Sequence, residues 1–430
     1  MGIMDFRKTP DAALPARLQD AALNATYAGI STLAARPSNT IVLIGDSLTA
    51  YNGGLSTATP AQSLDAALLD GKGIHNWANF FLGKDLSVLG NSGIGGQTST
   101  QILARFTTDA LNLNPAMVSI LAGTNDPVTM DTIGNLTAMY TAALAAGIRV
   151  VAQTVPPTTT SAAGIEARRL KINDWIRGYA RSTPGVILSD MAATWQDPTL
   201  AGYKPVVAYV GDGTHPTVAG AMAAGRVFAD AVRPFVPRNR TRAAAALAPF
   251  NMLGNPHFTG TVTNVNASTN TMGAWNISGT GLTFTPMDRT DGFAGRMLQI
   301  VVPAGGSVNL TTNVDVDGTA LKIGDSIDFG VELEIAGMET TPANTKTLTA
   351  TIQQYNGSSF GDRSYDLYSD TGALYGTGLA IPDGSYRLST PPVAVATGRT
   401  LIQSVVSLNG GGTYRLKGSY LRNLTGIAAA

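Results

Sequence analysis

The stretch that most constrains this chain is Ile41-Val42-Leu43-Ile44-Gly45-Asp46-Ser47-Leu48-Thr49, an apolar run without alternation that stops in a small polar turn. Consecutive aliphatic and β-branched residues suit a strand covered on both faces, so the turn is expected at the carboxyl end of a central parallel strand. In open α/β sheets that edge is where ligands bind. Gly45 permits a tight turn, Asp46 offers it a hydrogen-bond acceptor, and the Ser47 hydroxyl is left at the mouth of the sheet. Gly-Asp-Ser by itself is ordinary turn chemistry; its meaning depends on what the other strand ends carry.

A second strand, Leu86 to Leu89, runs into Gly90-Asn91-Ser92-Gly93-Ile94-Gly95-Gly96-Gln97-Thr98, and this loop opens a helix with Ile102, Leu103 and Phe106 on one face. Glycines at such a junction let backbone amides face an anion at the helix terminus. A dinucleotide fingerprint belongs in the first βα unit, and this loop lies in the second. The third strand, Met117 to Leu121, ends in Ala122-Gly123-Thr124-Asn125-Asp126-Pro127. Helix 131–147, strand 148–154, helix 164–182 and strand 185–190 continue the alternation, with Ile172, Trp175, Ile176 and Tyr179 as a core stripe. Residues 61–82 read as a helical segment interrupted at Gly71 and Gly73, with Trp77, Phe80 and Phe81 toward the sheet. Gly211-Asp212-Gly213-Thr214-His215-Pro216 follows, and a helix from Pro216 to about Val232 closes the unit. The pattern predicts an α/β fold, a parallel sheet covered by helices on both faces.

At 430 residues the chain is long for one core, so two domains are expected. Residues 1–36 read as an alanine-rich arm, 37–236 as the α/β domain and 237–250 as a linker. From 251 to 430 the helical period disappears. Short strand-like segments separated by Gly, Asn, Asp and Pro predict an antiparallel β-sandwich of jelly-roll type, including Met297 to Val302 and Ser326 to Val331.

The 29 basic and 29 acidic residues balance, and no long basic run stands out, which argues against a nucleic-acid partner. The absence of cysteine excludes disulfides and thiol nucleophiles. His75, His215 and His257 are too scattered for a histidine metal site, so neither metal nor cofactor is expected. No apolar run is long enough to span a membrane, and the amino terminus lacks the hydrophobic core of a secretory signal.

The strand ends together deliver Ser47, Gly96, Asn125, Asp212 and His215 to one edge of one sheet. Acyl transfer needs a nucleophile, a base, a group that orients the base, and donors for an oxyanion. In that scheme His215 is the base for Ser47 and Asp212 fixes its tautomer, while the amides of Ser47 and Gly96 and the Asn125 side chain form the oxyanion hole. The chain resembles the SGNH hydrolases, or GDSL esterases, whose four blocks match in order at Gly45-Asp46-Ser47-Leu48, Asn91 to Thr98, Gly123-Thr124-Asn125-Asp126 and Asp212 to Pro216. The resemblance covers roughly residues 37–236 and implies a flavodoxin-like three-layer α/β/α sandwich. Alignment of Asn91 and Thr98 to the family pattern selects Gly96 over Gly95. Thr49 stands where a Gly-x-Ser-x-Gly elbow needs its second glycine. Gly324-Asp325-Ser326 repeats the first block with no Asn or His block after it and reads as a turn, and His75 and His257 read as packing or surface residues.

More loosely, residues 251–430 resemble the carbohydrate-binding modules that accompany sugar esterases, through Asn251 to Pro256 and Trp275. Tyr355, Tyr365, Tyr368, Tyr375, Tyr386, Tyr414 and Tyr420 are candidates for stacking on sugar rings, or strand formers. Leu14-Pro15-Ala16-Arg17-Leu18 is similar to attachment segments of bacteriophage tail proteins, which implies an extracellular or virion-associated enzyme and a homo-oligomer, a trimer if it is a tail protein. The expected function is a metal-independent serine esterase removing acyl groups, acetyl foremost, from a carbohydrate or small ester. The alternatives are a lipase or thioesterase using the same residues, and a glycan-binding adhesin with an inactive hydrolase domain.

Overall fold

The computed structural model describes residues 39–51, 66–69, 72–159, 162–200, 202–237, 251–254, 256–258, 261–263, 270–289, 296–339, 346–370 and 381–425. The arm at 1–36, almost all of the 237–250 linker, and Tyr375 lie outside these residues.

Strand β1 (Thr40–Gly45) is buried along its whole length. Its alternate residues feed two cores: Ile41 and Leu43 meet Trp77, Ala221 and Phe228, whereas Val42 and Ile44 meet Ile102, Leu136 and Ile176. This two-sided cover is what the unbroken apolar run required. The next segment, β2 (Ala66–Leu69), leaves this sheet altogether, and β3 (Ser87–Gly93), β4 (Met117–Leu121), β5 (Arg149–Gln153) and β6 (Val186–Ser189) complete it. The five strands are parallel in the order β3-β1-β4-β5-β6. This is the flavodoxin-like order with its reversal beside β1, where crevices open at the carboxyl edge.

The helices are α1 (Ser47–Ala50), α2 (Ile74–Phe81), α3 (Ser99–Asp109), α4 (Thr132–Ala145), α5 (Ala163–Ser182), α6 (Met191–Trp195) and α7 (Val218–Val232). α2 and α7 contribute Trp77, Phe80, Ala224 and Phe228 to one core, and α3, α4 and α5 contribute Phe106, Met139, Tyr140 and Ile176 to the other. Three layers result. In the α5 stripe Ile172 and Ile176 are buried, while Trp175 and Tyr179 pack on Tyr140 with ring centroids 5.8 and 5.7 Å away.

The second half is an antiparallel sandwich. Its strands are β7 (Asn270–Met272), β8 (Trp275–Ser278), β9 (Thr283–Asp288), β10 (Arg296–Val302), β11 (Ser307–Asp315), β12 (Ser326–Ala336), β13 (Lys346–Tyr355), β14 (Phe360–Asp370), β15 (Gly384–Ser389), β16 (Val393–Ala394), β17 (Leu401–Asn409) and β18 (Gly412–Asn423). One sheet runs β15-β12-β18-β10-β9 with β16 beside β12, and the other runs β2-β14-β13-β17-β11-β8-β7. Ile327, Phe329 and Val331 are buried, as their shared face on an alternating strand requires.

One expectation is corrected and two are extended. Residues 66–69, read as helical, are β2 and pair in parallel with Arg363–Asp366 of β14. Phe80 does more than face its own sheet: its ring stacks on Tyr386 of β15, centroids 4.4 Å apart and planes 9° apart. Trp275, Tyr386, Tyr414 and Tyr420 are buried, Trp275 against Phe258, so these rings are spent on packing rather than offered to a ligand. Among the described residues no helix is long and apolar enough to cross a membrane.

Candidate active site

The site starts where β1 turns into α1. Asp46 caps that single helical turn, its Oδ1 accepting the Leu48 amide at 3.0 Å, and this presents Ser47 as the first helical residue. The turn fits only because its neighbours are glycines. A Cβ on Gly45 would stand 2.3 Å from Thr49 Oγ1 and one on Gly93 2.2 Å from Ala50 N, so α1 lies directly on the ends of β1 and β3. Arg105 of α3 braces the turn by donating from Nη2 to the Gly45 carbonyl at 3.0 Å and from Nε to Gln97 Oε1 at 2.7 Å. Burial pushes the Asp46 carboxyl up to about 6, against the lowering effect of the Leu48 amide and the Thr124 hydroxyl.

His215 reaches the same point from 168 residues downstream: its Nε2 lies 2.8 Å from Ser47 Oγ. Its Nδ1 lies 2.7 Å from Asp212 Oδ2. The other carboxylate oxygen, Oδ1, accepts the backbone amides of Thr214 at 3.0 Å and His215 at 2.8 Å, so one side chain shapes the loop and orients the ring. Slight burial works against ionisation of Asp212, but these hydrogen bonds prevail and hold its carboxyl down to about 2. An ionised Asp212 accepts a hydrogen bond from Nδ1–H, which keeps the proton on Nδ1 and leaves the Nε2 lone pair facing the serine hydroxyl. The loop is fixed from outside by the Thr159 amide, which donates to the Gly213 carbonyl at 2.9 Å, and by Lys204 Nζ, which donates to the Thr159 carbonyl at 2.9 Å. The Tyr51 ring meets the imidazole edge-on, centroids 5.2 Å apart.

The remaining residues named from sequence sit on the neighbouring strand ends. Asn125, exposed in the turn after β4, donates from Nδ2 to the Gln97 carbonyl at 3.1 Å, which ties that turn to the Gly95-Gly96 loop after β3. Gly96 is exposed with φ +76°, and a Cβ on Gly95 would stand 3.9 Å from Ser47 Cβ. Arg105 and Gln97 are contributors that sequence reasoning left without a role. Tyr51, the first residue of a polar loop that the sequence offers as a lining of the site, follows the serine by one helical turn, with its amide on the Ser47 carbonyl at 3.1 Å.

Two look-alikes are structural. Gly324, at φ +89°, and Asp325, whose Oδ2 accepts the Lys322 amide at 2.9 Å and Asn423 Nδ2 at 2.7 Å, form the turn before β12; the adjoining Ser326 amide donates to Thr425 Oγ1 at 2.9 Å. His75 Nε2 lies 3.0 Å from Ser119 Oγ, but this pair is shut in the core with Gln153, and burial pushes the imidazole down to about 3. Among the described residues no cluster of His, Asp and Glu is arranged to hold a metal ion.

A serine, an imidazole and a carboxylate thus stand in one hydrogen-bonded series at the carboxyl edge of a flavodoxin-like sheet. Residues 43–223 match the family model of the GDSL-like lipase/acylhydrolase family, and the α/β unit of this chain is similar to that family. A GDSL-like lipase from Bacteroides thetaiotaomicron is 24% identical over 49% of this chain and 97% of its own, with a TM-score of 0.35. An acetyl xylan esterase from Geobacillus stearothermophilus is 22% identical over 46% of this chain and 94% of its own, with a TM-score of 0.36. The enzymatically active domain of a tailspike protein from bacteriophage CBA120 is 14% identical over 40% of this chain and 21% of its own, with a TM-score of 0.29. No curated protein matches the chain significantly.

Proposed function

We propose that the protein is a serine esterase that removes short acyl groups, acetyl foremost, from an extracellular carbohydrate. Ser47 Oγ attacks the ester carbonyl as His215 Nε2 takes its proton. The oxyanion of the tetrahedral intermediate is met by the amides of Ser47 and Gly96 and by the Asn125 side chain. Collapse breaks the bond to the sugar oxygen, which leaves with the proton from His215. Water, deprotonated by the same imidazole, then releases the carboxylic acid and restores Ser47. Asp212 stays ionised and holds the imidazolium.

The observation that carries this reading is the series Ser47 Oγ to His215 Nε2 at 2.8 Å and His215 Nδ1 to Asp212 Oδ2 at 2.7 Å. Openness of the site supports a bulky hydrophilic alcohol portion. Asp212 and His215 side chains are 59% and 28% exposed, and Gly95, Gly96 and Asn125 border solvent. Such a rim admits a polymer from above and gives little apolar cover to a long acyl chain. An oligomer, a trimer if the protein serves on a phage tail, belongs to the same reading and is measurable by sedimentation.

The test compares p-nitrophenyl acetate, butyrate and octanoate, followed by acetate release from acetylated bacterial polysaccharides. Highest kcat/KM on the acetyl ester together with polysaccharide deacetylation supports the reading. A preference for octanoate moves the protein to the lipase alternative, and no hydrolysis of any ester rejects the esterase.

A further inference from the structure

Asp126, the neighbour of Asn125, is nearly out of water at 3% exposure and belongs to no part of the Ser47 series. Its carboxylate takes three hydrogens from other elements: the Ser99 amide on Oδ1 at 2.7 Å, and the Ser99 and Thr132 hydroxyls on Oδ2 at 2.6 and 2.5 Å. Ser99 Oγ in turn accepts Asn135 Nδ2 at 2.8 Å. Ser99 is the first residue of α3, directly after the Gly95-Gly96-Gln97-Thr98 loop, and Thr132 is the first residue of α4. One buried carboxylate therefore fastens two helix starts to the turn that carries Asn125. Negative charge is favoured at both helix ends, and charge-assisted bonds of this length are the strong ones.

The other restraints on the glycine loop act differently. The Thr98–Gln101 capping box closes α3 on itself and does not reach the β4 turn. Asn125 Nδ2 gives one hydrogen to Gln97, and a side-chain amide has a second to give. We infer that Asp126 is a positioning residue that locks the Gly96 loop and the Asn125 turn into one rigid pair of oxyanion donors. This rests on the oxyanion roles proposed above. In the transition state the two donors must converge on one oxygen, and Asp126 fixes their separation before substrate arrives, so no reorganisation is needed during reaction.

The test is steady-state kinetics on p-nitrophenyl acetate, melting temperature, and inhibition by a boronic acid whose adduct on Ser47 places an oxygen between the donors. For Asp126→Asn, kcat is expected to fall about ten- to a hundredfold with KM within about threefold of the parent, the scale set by small misplacements in a site. Boronic acid affinity should weaken by the same factor as kcat/KM. A lower melting temperature with kcat and boronic acid affinity within about threefold of the parent overturns the inference. If Asp126→Asn does not fold, Ser99→Ala and Thr132→Val each remove one donor; graded losses of kcat support the inference, and parental kcat in both overturns it. Asn125→Ala separates the layers. Parental kcat there removes the oxyanion reading itself, whereas a loss there without one at Asp126 removes only this inference.

Discussion

Lys84 Nζ and Asp366 Oδ1 lie 2.8 Å apart with their side chains 4% and 0% exposed, an ion pair running from the turn after α2 into the seven-stranded sheet of the sandwich. Gly83 and Lys84, at φ +69° and +62°, turn the chain sharply at the end of α2 and aim the ammonium there. Asp366 Oδ2 also accepts the Ser389 amide at 2.7 Å, and Arg387 next to it bonds Glu332 at 2.6 Å and approaches Asp85 to 3.6 Å. With Phe80 on Tyr386 and β2 in the sheet, this seam makes the sandwich part of the support under α2. Trp77 of that helix packs in the same core as Ile41 and Leu43 of β1.

Removing one partner strands the other charge. Lys84→Met should cost about 3–5 kcal/mol, and Lys84→Met with Asp366→Asn should recover part of it, because the asparagine still accepts the Ser389 amide. Thermal unfolding checks both. Parental stability in Lys84→Met, or two separate melting transitions in the parent, would contradict a seam that couples the halves.

Ser47→Ala should abolish ester hydrolysis, with a loss of several powers of ten, while Ser326→Ala leaves it unchanged. Ser47 has an imidazole at 2.8 Å, whereas Ser326 opens strand β12 with its amide bonded to Thr425 Oγ1. Both variants should melt near the parent. An active Ser47→Ala enzyme would be fatal to the proposed mechanism.

Asp46 gives a pH signature. Its carboxyl is raised from 3.8 to about 6 by burial, so the folded protein resists an ionisation the unfolded chain accepts. Its share of stability is fully present below 3.8 and lost as pH rises through about 6, a decline on the order of 3 kcal/mol. Asp46→Asn keeps an acceptor for the Leu48 amide and cannot ionise. The fall in melting temperature between about pH 4 and about pH 7 should therefore be smaller in the variant than in the parent. Equal falls in the two proteins would show that another group carries the dependence.

Where local chemistry decided conformation, the sequence was readable. Four consecutive apolar residues before Gly45 demanded cover on both sides, and an Asx acceptor at Asp46 demanded the turn that Leu48 closes. The spacing from Asp212 to His215 allowed one carboxylate to reach both ring and backbone. Long-range pairing was hidden. Ala66-Ala67-Leu68-Leu69 has helix-forming residues and is a strand only because β14, about three hundred residues later, offers it an edge. Trp275 and the tyrosines on alternating strands look alike whether they face a ligand or a core, and the facing sheet decides. Asp126 before Pro127 reads as a turn residue, since its donors come from Ser99 and Thr132.

Asn125 separates chemistry from structure at the proposed oxyanion hole. Its one internal hydrogen bond goes to the Gln97 carbonyl at 3.1 Å, and the residue is exposed, so truncation removes little packing. The second amide hydrogen is proposed to meet charge that develops on the ester oxygen, an interaction stronger in the transition state than in the bound ester. Asn125→Ala should therefore lower kcat and leave KM nearly unchanged. The loss expected for one such donor is on the order of a hundred- to a thousandfold, about 3–4 kcal/mol. If Asn125 serves only to hold the turn to the glycine loop, the same substitution lowers melting temperature and changes kcat modestly. Measuring kcat, KM and melting temperature on one preparation distinguishes the two: a lowered melting point with kcat within about fivefold of the parent would remove Asn125 from the chemistry.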